Sequence, residues 1–198
     1  GGTEEILSMQ ELIEKFDITK VQKGGAVFNI EKLLWLNKEY IKRLPQDVLL
    51  SEIMKWTPDA FQNEKILIQI HAIITDRISV WSDIPAMFGT GEFDYFYKEP
   101  VIASDALVWK KGGTKDEAKM HLMEVKNRLT ALSDSDFTLT AVQGSVFPYA
   151  EEKGKGNVLW PLRVALSGRE KSPDPFTLAS LLGKEKTLAR IDAAIAVL

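Results

Sequence analysis

The sequence predicts an all-α protein. Three observations carry this expectation: apolar residues recur at helical spacing through most segments, helix-start signals are frequent, and the alternating pattern of half-buried strands is almost absent. Short helices packed against one another satisfy that pattern. We expect only brief extended pairs to interrupt them, for example near residues 17–29.

The first third of the chain contains three helical patterns. Residues 3–16 have apolar positions near helical spacing, and Thr3 is a good N-cap because acids follow it. Residues 31–44 form an amphipathic pattern that Pro45 ends. A second short helix is expected over residues 46–56.

The tripeptide Thr57-Pro58-Asp59 combines an N-cap residue with a proline at the first helical position. It predicts a helix from Asp59 to about Arg77. In the stretch "GTGEFDYFYKEP" (89–100), the apolar residues follow neither the helical nor the strand period for more than a few positions. We interpret it as a connection held by aromatic anchors.

Two further helices are indicated in the middle of the chain. Thr114 and Glu117 have capping-box spacing and predict a helix start. Another helix should begin near Ser135-Asp136, and Gly144 and Pro148 should weaken or kink it.

A closing helix over residues 184–198 follows Gly183. The order of elements suggests three parts: a helical segment over 1–59 and two packed helical subdomains over 60–132 and 133–198.

Composition narrows the function classes. The chain has 198 residues, a net charge of −3 and no cysteine, so disulfides and thiolate metal sites are excluded. No apolar run approaches the ~18 residues of a membrane span, and the N-terminus does not resemble a secretory signal. We expect a cytoplasmic protein without a membrane or DNA partner. Because Gly1 stands where an initiator Met is expected, we interpret the chain as a fragment or a processed product.

The charge is unevenly distributed. Residues 151–198 contain eight Lys/Arg and six Asp/Glu, a net +2, which leaves −5 on residues 1–150. A basic C-terminal part is compatible with RNA binding, and chance asymmetry explains it equally well.

Catalytic motifs are missing from the sequence. His71 and His121 are its two histidines, each within a helical pattern, and we interpret both as structural. The chain has no zinc helix, calcium loop, nucleophile elbow or phosphate loop, so we do not expect a self-sufficient enzyme. Its five tryptophans are spaced as core anchors rather than as a platform for bases (positions 35, 56, 81, 109 and 160).

The segment "LWPLRVALSGREKSPDPFTLASLLGKE" (159–185) differs from ordinary core. An apolar run ends at Ser167-Gly168, basic and acidic residues follow, and two prolines occur within three residues. This pattern predicts a stiff, basic, proline-locked corner between two apolar segments.

Three stretches of the sequence together resemble bacterial glutamyl-tRNA synthetases. They are "ELIEKFDITKVQKGGAVFNIEKLLWLNKEYI", "IHAIITDRISVWSDIPAMFGTGEFDYFY" and "LWPLRVALSGREKSPDPFTLASLLGKEKTLARI". The resemblance implies the C-terminal, all-helical part of such an enzyme, which holds the anticodon arm of tRNA(Glu). It also implies that residues 1–59 are a stem-contact segment and that residues 60–132 and 133–198 are the two helical anticodon-binding subdomains. Asn29 stands where the family usually has an aspartate.

The resemblance also implies which residues meet the anticodon. They are Arg77, Arg163, Ser172, Pro173, Pro175 and Phe176. A planar guanidinium can meet acceptors on an unstacked base or a phosphate, and the prolines reduce the entropy lost on binding. The structural alternatives are that Arg163 bonds within the fold, that Phe176 belongs to the core, and that Arg77 is a surface charge.

The same resemblance implies that this part holds no cofactor, because the family binds ATP and Mg²⁺ in an upstream catalytic domain. The expected partner is the anticodon stem-loop of tRNA(Glu), bound by a monomer. The alternative function is a helical protein–protein interaction scaffold that does not bind RNA.

Overall fold

The computed structural model describes residues 6–21, 24–25 and 27–198. Within these ranges the regular structure is helical, which confirms the predicted all-α class. The α-helices are α1 (Met9–Lys15), α2 (Ile30–Lys42), α3 (Gln46–Trp56), α4 (Glu64–Arg77), α5 (Asp83–Gly89), α6 (Asp94–Tyr97), α7 (Lys115–Thr130), α8 (Leu139–Lys153), α9 (Lys155–Ser167), α10 (Pro175–Leu182) and α11 (Lys184–Val197). The extended pair expected near residues 17–29 is not found among the described residues there, and Ile18–Lys20 form a 3-10 turn.

The chain divides into two compact units, one ending at Ala86 and the other covering Met87–Leu198. These units do not follow the boundaries at 59/60 and 132/133 that the sequence suggested. The three-part division stays a prediction about function. No helix in the described part of the chain is long and apolar enough to cross a membrane.

The core of the first unit forms where α4 packs against α2 and α3. Its apolar side chains are almost fully buried (Ile41, Ile53, Leu67, Ile70, Ile74). Polar side chains of α2 hold the C-terminal end of α4: the Asn37 side chain donates to the Ser79 carbonyl, and the Lys38 ammonium donates to the Asp76 carbonyl.

Helix α1 begins later than the pattern suggested. Ser8 is its N-cap, and a capping box joins the Ser8 hydroxyl to the Glu11 backbone N–H while the Glu11 carboxylate accepts from the Ser8 N–H. Thr3, the predicted cap, lies outside the described residues.

The single helix predicted from Asp59 is wrong. A 3-10 turn covers Asp59–Phe61, and α4 starts only after Asn63, whose side chain accepts from the Ile66 N–H. Asn63 has extended backbone angles, and an asparagine N-cap competes well with helix continuation.

The start of α8 also differs from the prediction. Ser133 and Asp136 bond to each other and close a separate turn, so Thr138 becomes the N-cap. The helix then runs continuously through Gly144 and Pro148.

The aromatic connection at 89–100 is anchored as expected. Phe93, Tyr95 and Phe96 are nearly fully buried, and the Phe88 and Phe93 rings lie 5.0 Å apart between centroids. One helical turn, α6, lies within this connection.

Helix α9 lies at the centre of the second unit, in contact with α7, α8, α10 and α11. Val158, Leu162 and Ala165 on its inner face are fully buried. Trp160 and Arg163 lie on its outer, half-buried side. The fold therefore presents one face of a well-packed helix beside the corner that follows it.

Candidate nucleic-acid interface

The corner begins where α9 ends. Gly168 has φ 67°, the left-handed conformation that terminates a helix and favours glycine. A Cβ at this position would lie 2.9 Å from the Pro100 Cβ, so the backbone also approaches its neighbour closely. The Ser167 hydroxyl donates to the Arg163 carbonyl at 2.8 Å and accepts from the Arg169 N–H at 3.1 Å. These contacts fix the direction in which the chain leaves α9.

Arg163 is half-buried and its Nη1 donates to the Ser172 carbonyl at 2.7 Å. This bond joins the outer side of α9 to the corner. Arg163 makes no ion pair with a carboxylate of the described residues. Most of its N–H groups therefore remain available, with the guanidinium held in place by the Ser172 bond.

The second half of the corner is held by Asp174, the N-cap of α10. Its carboxylate accepts from the backbone N–H groups of Phe176 and Thr177 at 3.0 and 2.9 Å. Pro175 occupies the first helical position, where a missing N–H costs nothing. The Ser172 hydroxyl donates to the Pro173 carbonyl.

Pro175 and Phe176 point into the protein. Phe176 is only 6% exposed, and its ring meets the Phe147 ring edge-on at 6.1 Å. Because burial leaves the two side chains no surface for a base, neither is retained as a proposed RNA contact. Their buried side chains support the corner from the side of the core.

Two long-range contacts tie the corner to earlier segments of the same unit. The Glu170 carboxylate pairs with Lys110 at 2.6 Å, and Arg169 donates to the Thr90 carbonyl at 3.4 Å. Lys171 is exposed and makes no ion pair within the described part of the chain. Arg163 and Lys171, on either side of the corner, are thus cations without a carboxylate partner there.

Sequence reasoning missed Arg190, which supports this region from inside. Its side chain is 3% exposed and donates to the Leu166 carbonyl at 2.6 Å and the Tyr95 carbonyl at 2.8 Å. Its Nε also pairs with Glu99 at 2.8 Å. The sequence did contain a signal for its burial, because Arg190 lies on the apolar face of α11 beside Ile191.

Arg77 belongs to the first unit, at the C-terminal end of α4, where its side chain is exposed. The preceding residue, Asp76, is held by Lys38 and by an ion pair with Lys42 at 3.1 Å. The structure thus brings the five corner residues together in the second unit and places Arg77 in the other.

The histidines have structural partners. His71 Nδ1 lies 2.6 Å from the Ile68 carbonyl, and His121 Nδ1 lies 2.8 Å from the Tyr149 hydroxyl. Burial lowers the pKa of His121. No group of metal-ligating side chains occurs among the residues the structure describes.

The Arg163 guanidinium is held in place beside a proline-locked corner, an arrangement suited to unpaired RNA bases. Comparison with known proteins identifies the class of protein. The family described as "Anticodon binding domain" matches residues 36–195, so the chain belongs to that family.

Several glutamate–tRNA ligases are similar to this chain. The ligase of Clostridium acetobutylicum is 34% identical over 98% of this chain, and that of Chloroherpeton thalassium is 32% identical over 98%. The crystal structure of a glutamate tRNA ligase from Elizabethkingia meningosepticum superposes with a TM-score of 0.71 at 32% identity, over 98% of this chain and 38% of that one. The chain spans 40% of the length of both curated relatives.

Proposed function

We propose that the chain is the part of a glutamate–tRNA ligase that binds the anticodon arm of tRNA(Glu). The parent enzyme would attach glutamate to this tRNA with ATP. The observation that carries the proposal is the match to the anticodon-binding family over residues 36–195, which includes the whole corner.

The corner supplies a means of recognition. Bases of a single-stranded loop can be unstacked and met at their edges by fixed donors. The Ser172 carbonyl orients the Arg163 guanidinium before RNA arrives, so less freedom is lost on binding. Exposed Lys171 can neutralise a neighbouring phosphate. We propose Arg163, Ser172 and Pro173 as contacts of the anticodon loop.

Arg77 remains a second proposed contact, on the first unit. Its exposed position at the end of α4 supports access to RNA.

We further infer that this part acts as a monomer in the cytoplasm and holds no cofactor of its own. In this proposal ATP and Mg²⁺ are bound by the portion of the parent enzyme that lies outside this chain.

Titration of labelled tRNA(Glu) and of its anticodon stem-loop at two salt concentrations tests the proposal. Phosphate contacts release counterions, so the affinity should fall steeply as salt rises. A non-cognate stem-loop of equal length is the matched control and should bind more weakly. If a folded sample binds no RNA at low salt, the proposal is wrong and a protein–protein interaction scaffold becomes the better interpretation.

A further inference from the structure

Trp160 lies on the outer side of α9, three residues before Arg163, and is half-buried. Residues three apart on a helix are surface neighbours. The indole N–H of Trp160 donates to the Ala106 carbonyl at 3.0 Å, which satisfies its one polar group. The ring is therefore oriented by the fold before any ligand is present.

The Trp109 ring packs against the Trp160 ring. The two indole centroids lie 5.1 Å apart with the planes inclined by 56°. Trp109 in turn lies against the backbone of Gly156, where a Cβ would come within 2.4 Å of the Trp109 Cε2 atom. Both indoles are thus fixed by packing that a larger residue at position 156 would disrupt.

A cation accompanies the Trp160 ring. The Lys110 ammonium lies 5.7 Å from the ring centroid and pairs with Glu170 of the corner at 2.6 Å. The Lys110 side chain is 62% exposed, so its ion pair is in contact with water and easily exchanged. An oriented aromatic ring, an exposed cation and Arg163 thus adjoin one another on one surface.

The spacing of the tryptophans predicted core anchors, but Trp160 is only half-buried. Resting on the proposed function, we propose that the Trp160 ring is a stacking platform for an unpaired RNA base adjacent to the one met by Arg163, with Lys110 contacting the phosphate backbone. Aromatic side chains accept bases of any identity on their faces, whereas arginine reads base edges. Fixing the ring in advance reduces the entropy lost on stacking.

Two variants and a set of RNAs test this proposal. Trp160→Met removes the aromatic face and keeps a flexible apolar side chain, and Trp160→Phe keeps a smaller aromatic face. Each is titrated with the anticodon stem-loop of tRNA(Glu) and with loops carrying one abasic site at a time. We expect Trp160→Met to weaken binding of the intact loop about five- to 150-fold, and Trp160→Phe to weaken it less.

The abasic loops locate the effect. At the loop position whose base stacks on Trp160, an abasic site should weaken wild-type binding. The wild type and Trp160→Met should then bind that loop with the same affinity. At the other positions the full difference should persist. Trp56→Met is the matched control, because Trp56 is another half-buried indole with a bonded N–H, located in the first unit. For Trp56→Met, the ratio of the affinities for the intact and the abasic loops should equal the wild-type ratio.

Three results would overturn the proposal: wild-type affinity of both Trp160 variants for the intact loop, an equal loss on every abasic loop, or the same pattern in Trp56→Met. Melting temperatures identify any variant that fails to fold, and if Trp160→Met does, the Trp160→Phe comparison decides. If Arg163→Ala loses affinity while the Trp160 variants do not, the stacking platform alone is wrong. If wild type binds no RNA, the proposed function fails with it.

Discussion

Arg163 donates one N–H to the Ser172 carbonyl, and a guanidinium carries five. If another of them meets a base edge, Arg163→Ala leaves that edge unpaired and should weaken cognate binding by about 1–3 kcal/mol. The loss should be smaller for a loop already mutated at the contacted base. Affinities for both stem-loops, measured beside the melting temperature, check this prediction.

Two other outcomes are distinguishable. If Arg163 touches only phosphate, the affinity for both stem-loops should fall by the same factor. The slope of log affinity against log salt concentration should then become shallower by about one unit. If Arg163 only holds the Ser172 carbonyl, the melting temperature should fall while the folded fraction binds normally. That last result would contradict the assignment of Arg163 as a contact.

Arg190 stabilises the second unit rather than the RNA complex. Arg190→Met leaves the buried carbonyls of Leu166 and Tyr95 without a donor, and we expect the free energy of unfolding to fall by about 3 kcal/mol. Chemical denaturation monitored by circular dichroism measures the change.

A surface ion pair between α7 and α11 provides the control for Arg190. Lys126 pairs with Asp192 of α11 at 2.6 Å, with the two side chains 35% and 53% exposed. Lys126→Met should cost less than about 1 kcal/mol. Equal losses of unfolding free energy in the two variants would show that the buried Arg190 contacts stabilise the protein no more than a surface ion pair does.

We expect His121 to make the free energy of unfolding depend on pH. Burial lowers its pKa in the folded state; nearby Lys153 lowers it further and Glu117 opposes the shift. Because the folded pKa lies below the unfolded value, this contribution is fully present above the unfolded pKa of about 6.5 and is lost as the pH falls from there through the lower folded pKa. Denaturation between about pH 7.5 and 5.5 should show a decrease that His121→Gln lacks. Identical pH profiles for the two proteins would refute it.

At the scale of elements, the junction between α9 and α10 is governed by Gly168. Gly168→Ala forces a side chain into φ 67° and against Pro100, so we expect a loss of about 1–3 kcal/mol in unfolding free energy. Gly144→Ala is the opposite case, because Gly144 lies within α8 and the added methyl group would enter open space. This second variant should stabilise the protein by up to about 1 kcal/mol. Thermal unfolding of both variants tests the pair, and destabilisation of similar size in both would contradict it.

Helices α2, α3, α7 and α11 followed from the sequence because caps and apolar periodicity are local signals. Thr114 and Glu117 form the predicted capping box. The starts of α4 and α8 were predicted wrongly because two adequate caps compete within a few residues at each, and tertiary packing selects one.

The candidate site was only partly predictable. The corner is a local feature, marked by glycine and prolines, so its position could be derived from the sequence. The Arg190 network joins carbonyls up to 95 residues away, and no local pattern encodes such partners. The resemblance suggested Phe176 as a contact, but its apolar ring is used for packing against Phe147.

For the whole molecule, we expect no amino-acid activation by this chain alone. Its sequence contains no phosphate-binding loop, and it spans 40% of the length of the ligases it resembles. Glutamate-dependent ATP–pyrophosphate exchange by the purified protein should stay at background, with a complete glutamate–tRNA ligase as the positive control. Exchange above background that copurifies with the chain would contradict this expectation.

The close pair formed by Trp109 and Trp160 has an optical consequence. Two indoles 5.1 Å apart and inclined by 56° couple their electronic transitions, and such coupling contributes an exciton couplet to the far-ultraviolet circular dichroism. The helical spectrum of this protein should therefore carry a superimposed tryptophan signal. Since that signal requires Ala106, Trp109 and α9 to remain packed together, it serves as a label-free reporter of the surface beside Arg163.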